Sequence, residues 1–85
     1  MHTVDLLARA LIAAQQLGFR VRHEWLGGMG GACELRGQKW LFLDEALSPA
    51  EQLEVVLDAL RGEASLASLP LDPSLARLVD VRKAA

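Results

Sequence analysis

Eighty-five residues, 52% hydrophobic and 24% charged, with a formal net charge of −2, describe one folded domain over 1–85 and leave no room for a second core. The apolar share excludes disorder driven by charge, and the slight acidic balance excludes a global attraction to nucleic-acid phosphates. A chain of this size buries only about 60–65% of its unfolded surface, so its stability margin is thin and self-association is a natural supplement.

Thr3 to Leu17 reads as a helix, with Thr3 placed to cap it, Asp5 in the first turn and Gly18 as a left-handed terminator. Its apolar set is broad. Val4, Leu7, Leu11 and Ala14 form one stripe, and Leu6, Ala10, Ala13 and Leu17 form the next, so the helix wants cover on more than one side. From Phe19 the period falls to two: Phe19, Val21, His23 and Trp25 alternate with Arg20, Arg22, Glu24 and Leu26, the pattern of a half-buried strand. The run 27–31, Gly-Gly-Met-Gly-Gly, is a pliable connection.

Ala32 to Arg36 and Lys39 to Asp44 follow as two short strands about a type II′ turn at Gly37-Gln38. That turn sets Leu35 opposite Trp40 and Cys33 opposite Phe42, with Glu34 and Leu41 on the other side, and a one-residue slip is expected to invert the two sides. Ser48-Pro49-Ala50-Glu51 forms a capping box with proline at the first helical position, so a helix begins at Pro49. Leu53, Val56, Leu57 and Leu60 make its buried stripe, Glu51, Glu54, Asp58 and Arg61 stay wet, and Gly62 ends it. Asp72-Pro73 restarts a shorter helix whose Leu75, Leu78 and Val79 close the core, and 63–71 is irregular or a single helical turn. The expected fold is α+β: a small three-stranded antiparallel sheet with an N-terminal helix and two C-terminal helices on one face.

One cysteine cannot close an intramolecular disulfide, so Cys33 argues for a reducing, cytoplasmic compartment. Asp5, Arg9 and two glutamines at helical spacing set the N-terminus apart from a secretory leader, and no apolar run approaches the about 20 residues that span a bilayer.

Catalytic constellations are sparse. His2 and His23 do not stand at metal-ligand spacing, and no cofactor is expected. Cys33 has His23 as its sole candidate base and no third orienting residue, so it reads as a small core hydrophobe rather than a nucleophile. Glu34, Asp44 and Glu45 serve solvation and hairpin pairing unless a pocket shifts their ionisation. The glycine run joins strand to strand, whereas phosphate-cradling loops join strand to helix. Arg20, Arg22, Arg36 and Lys39, with Trp25 and Trp40 nearby, sketch a small basic and aromatic surface, but Glu24 and Glu34 interrupt it, which argues against a nucleic-acid partner.

The hairpin from Gly31 to Asp44, followed by Leu47-Ser48-Pro49-Ala50-Glu51-Gln52 and a helix, resembles short uncharacterised bacterial proteins with a glycine, a cysteine and a KGK hairpin. More distantly, it is similar to the hairpin-then-helix part of ImmA/IrrE-type zinc metallopeptidases. The zinc-binding HExxH of that family would fall at about 55–59, where this chain reads Val55-Val56-Leu57-Asp58-Ala59. No active-site residue carries over, so the resemblance, covering about two fifths of the chain, implies a related scaffold without that chemistry.

The expectation is therefore a non-enzymatic domain that works by contact, with a protein partner or with itself as a homodimer. Trp25 and Trp40 are the candidate anchors and Arg22 and Lys39 the candidate polar rim. Two placements of the tryptophans are open at this stage: in or beside the core, or on sheet surface that the helices leave bare.

Overall fold

The computed structural model describes residues 2–25, 27 and 30–79. Among the described residues, three helices and three strands, with one 3-10 turn, follow the expected order: α1 (Thr3–Gln16), β1 (Phe19–Glu24), β2 (Gly31–Leu35), β3 (Gln38–Asp44), α2 (Pro49–Arg61), the 3-10 turn (Ala64–Ser68) and α3 (Pro73–Val79). Leu26, Gly28 and Met29, assigned above to the end of a strand and to the glycine connection, lie outside the described residues.

The α+β class holds, but the sheet is mixed rather than antiparallel. Its strand order is β1-β3-β2, with β3 parallel to β1 and antiparallel to β2. The reason lies in composition: Trp40-Leu41-Phe42-Leu43 is the one unbroken apolar run among the strands, and such a run needs neighbours on both sides. β1 and β2, each carrying exposed or charged positions, are left at the edges. β1 and β2, although consecutive in the chain, therefore do not pair as a hairpin; β3 lies between them.

The β2–β3 turn falls at Arg36-Gly37, with φ of 52° and 77°, so both central residues are left-handed as a type I′ turn requires. Turning at Gly37-Gln38 would have set Arg36 against Lys39; the observed register sets Glu34 against Lys39, exchanging a like-charge pair for an opposite one. Cys33 consequently faces Trp40 and Leu35 faces Gln38. The two sides are not inverted. Sliding a two-residue turn by one position moves each partner by two, which preserves side-chain parity.

The core lies between the helices and one face of the sheet. Phe19, Leu41 and Leu43 project into it from the strands, and Leu53, Val56, Leu57, Ala59 and Leu60 from α2. α1 contributes Ala10, Ala13 and Ala14, small side chains that let it lie close to α2, while Val4 and Ile12 stay exposed. His2, not Thr3, occupies the N-cap position of α1, without a side-chain capping bond. Both arms of the α2 capping box form: Glu51 N–H donates to Ser48 Oγ at 3.2 Å and Ser48 N–H to Glu51 Oε1 at 2.9 Å. α3 closes the far side through Leu75 and Val79. Arg61, expected wet, is half-buried and donates from Nη2 to the Leu78 carbonyl at 2.8 Å, tying α2 to α3.

Candidate interaction surface

Alternation along β1 and β3 assigns the two sheet faces. Phe19, Val21, Lys39, Leu41 and Leu43 point toward the helices; Arg20, Arg22, Gln38, Trp40 and Phe42 point away, joined from β2 by Cys33 and Leu35. None of the described helices packs on this second face. Trp40 and Phe42, two positions apart on the central strand, stack with ring centroids 5.8 Å apart and an interplanar angle of 11°. The Arg20 guanidinium lies 5.7 Å from the centre of the Trp40 ring. Arg22, Leu35, Arg36, Gln38, Trp40 and Phe42 line a shallow groove of about 520 Å³.

The charge on this face is lopsided. Arg20, Arg22 and Arg36 meet Glu24, which pairs with Arg22 at 2.7 Å, and the other carboxylate of this parity, Asp44 at the end of β3, is buried. Among the described residues no carboxylate lies within ion-pair distance of Arg20 or Arg36. A chain of net charge −2 therefore presents a locally cationic, aromatic face on one side of its sheet.

The four anticipated contact residues do not converge. Trp40 and Arg22 share the open face. Trp25 stands just past the end of β1, 75% exposed. Lys39 turns to the helix side, where its Nζ meets Glu63 Oε1 at 2.6 Å and lies 5.0 Å from the Phe19 ring centre, so it belongs to the packing and not to the rim. Phe42, Arg20 and Arg36 take its place. The parity shared by Trp40 and Phe42 is readable in the sequence; the Arg20–Trp40 pairing is not, because it depends on the parallel register.

Cys33 is exposed rather than buried in the core. His23 does not approach it, because β3 separates their strands and the two side chains leave opposite faces of the sheet. Asp44 is buried at 1% exposure, with Oδ1 accepting from the Ala46 N–H at 2.9 Å, and so shapes the turn into α2, whereas Glu34 and Glu45 are exposed. Val56, Leu57 and Ala59, within the segment 55–59 compared above with a zinc motif, are core residues, and Asp58 faces solvent. Among the described residues no three His, Cys, Asp or Glu side chains gather as metal ligands, and no helix is long and apolar enough to cross a membrane.

No family model, curated protein or solved structure matches the chain.

Proposed function

We propose that this chain is a non-enzymatic interaction domain that engages a protein partner through the open face of its sheet. The observation carrying this reading is the stacked Trp40–Phe42 pair on a face no described element covers, bordered by three arginines. Aromatic and arginine side chains supply most of the binding energy where they are desolvated together, and Leu35, 52% exposed, extends the apolar area. The excess positive charge favours a partner that offers carboxylates beside apolar groups, and it opposes two copies meeting face to face. The exposed thiol of Cys33 suits a reducing compartment, in keeping with a cytoplasmic location.

The same arginines and rings support a second reading, a single-stranded nucleic acid stacked on the aromatics. It ranks lower because Trp40 already stacks on Phe42 and carries Arg20, leaving less ring face for a base. Salt-sensitive retention on a polyanion column would favour it.

Placing a photo-cross-linking phenylalanine analogue at Leu35, and at Glu54 on the exposed side of α2 as control, tests the main reading in cells. A discrete product from position 35 whose mass is not that of two copies of this chain, absent from position 54 and lost on Arg20→Glu with Arg22→Glu, supports it. Equal products from both positions, or none from 35, overturn it.

A further inference from the structure

We propose that the outer edge of β2 pairs with the same edge of a second copy, antiparallel about a two-fold axis, joining two three-stranded sheets into one of six. This uses the backbone edge of β2, with Leu35 and Phe42 at the margin of the open face, and it does not require the function proposed above.

The strand order makes β2 an edge, and Ala32, Cys33, Glu34 and Leu35 are all exposed. Among the described residues no backbone hydrogen bond leaves β2 except toward β3. Natural edges are blunted by proline, lysine, inward charge or a bulge; β2 has no proline or lysine, its register with β3 runs unbroken from Gly31 to Leu35, and its one charge, Glu34, stands opposite Lys39 of its own sheet. The opposite edge, β1, carries three charges, Arg20, Arg22 and Glu24, and packs against α1, whereas β2 carries one, Glu34, and meets α2 on its inner side.

The hairpin determines which backbone groups are free. In a two-residue turn the flanking pair, Leu35 and Gln38, exchanges both hydrogen bonds, so Leu35, Cys33 and Gly31 direct their N–H and C=O groups to β3. Ala32 and Glu34 direct theirs outward. Two such edges pair in the register that sets Ala32 opposite Glu34 of the second copy, twice over, with Cys33 opposite Cys33 on the axis. Centring the axis on Glu34 would place two carboxylates face to face, which is destabilising, and centring it on Ala32 would shorten the overlap.

The side chains also fit this register. Leu35, half exposed, falls opposite Gly31 of the second copy, where the space a Cβ would take is empty for 4 Å around. Gly31 pairs with Phe42 within its own sheet, so the incoming leucine lies beside that ring and covers apolar surface on both subunits. The two open faces then lie side by side on one surface, doubling the area available to a partner.

Sedimentation equilibrium up to millimolar concentration is the test, with circular dichroism confirming that each variant folds; Ala32 and Glu34 are exposed, so substitution there leaves the core intact. A reversible monomer–dimer equilibrium is expected. Ala32→Glu, which opposes Glu34 of the second copy at two places, weakens it by about five- to tenfold, Ala32→Lys tightens it, and Trp40→Ala leaves it unchanged. Opposed cysteines at a non-hydrogen-bonded pair sit about 4.5 Å apart at Cα, within disulfide reach. Glutathione disulfide should therefore oxidise two Cys33 thiols to one intersubunit disulfide, releasing two reduced glutathiones, and Ala32→Glu should slow this. A protein that stays monomeric at millimolar concentration, a dimer indifferent to the charge at position 32, or one abolished by Trp40→Ala overturns the proposal.

Discussion

Trp40 and Leu41 are adjacent in the chain and on opposite faces of β3, so truncating each to alanine asks what each face does for stability. Leu41 is 0% exposed, among Phe19, Leu43 and the α2 leucines, and its loss leaves a cavity worth about 2–5 kcal/mol. Trp40 is half-buried, so its truncation loses one ring stack and one cation–π contact, about 0.5–1.5 and 0.5–1 kcal/mol respectively, together with the apolar area its ring covers, but it opens no enclosed cavity. A chain of 85 residues has a total stability of about 4–13 kcal/mol. Leu41→Ala should thus remove a large part of it, lowering Tm by about 20 °C, whereas Trp40→Ala, which leaves no sealed void, lowers Tm by less although more atoms are deleted. Urea unfolding followed by far-UV circular dichroism measures both, with an unchanged denaturant slope confirming that the denatured state is comparable. A Trp40→Ala loss as great as that of Leu41→Ala would refute the reasoning, because it would make the indole a core residue and leave the open face without a spare anchor.

Ser48→Ala removes one arm of the α2 capping box and should cost about 1 kcal/mol in thermal or urea unfolding. The Ser48 backbone N–H, and after it the hydroxyl, hold the Glu51 carboxyl below its ordinary value of 4.5, so its contribution is present above that pH and fades as pH falls through the lowered value; Ser48→Ala keeps the backbone donor and should lessen the lowering without abolishing it, which an NMR titration of Glu51 checks. Lys39→Ala, which breaks the partly screened pair with Glu63, should cost about 1 kcal/mol or less and leave cross-linking from position 35 intact, against the rim role expected from sequence. Because β3 separates Cys33 from His23, alkylation of Cys33 should proceed at an ordinary thiol rate that His23→Ala does not change; a marked slowing in that variant would restore the dyad.

What could be read from the chain was mostly local. The capping box at Ser48 and Glu51, the terminator at Gly18 and the stripe Leu53, Val56, Leu57 and Leu60 each depend on residues within a turn or two of one another, and each stands where the sequence places it. The hairpin's side parity also survives, since two-residue loops preserve it. What escaped was non-local. The parallel pairing of β1 with β3 joins strands separated by an entire hairpin, and nothing within β1 encodes it. Arg36 adopts a left-handed conformation that its residue type disfavours, which displaced the expected turn by one position, and the gain is Glu34 rather than Arg36 opposite Lys39. The helix-side placement of Lys39 is legible in the sequence, for it shares the parity of Leu41 and Leu43.

Heteronuclear NMR of the isotope-labelled protein, recorded in buffer and then in an extract of cells that make it, addresses the open face residue by residue. The account predicts that partner engagement broadens the signals of Arg20, Arg22, Leu35, Phe42 and the Trp40 indole while those of exposed α1 and α2 residues stay sharp. Uniform attenuation along the chain, or broadening confined to the helices, would contradict it.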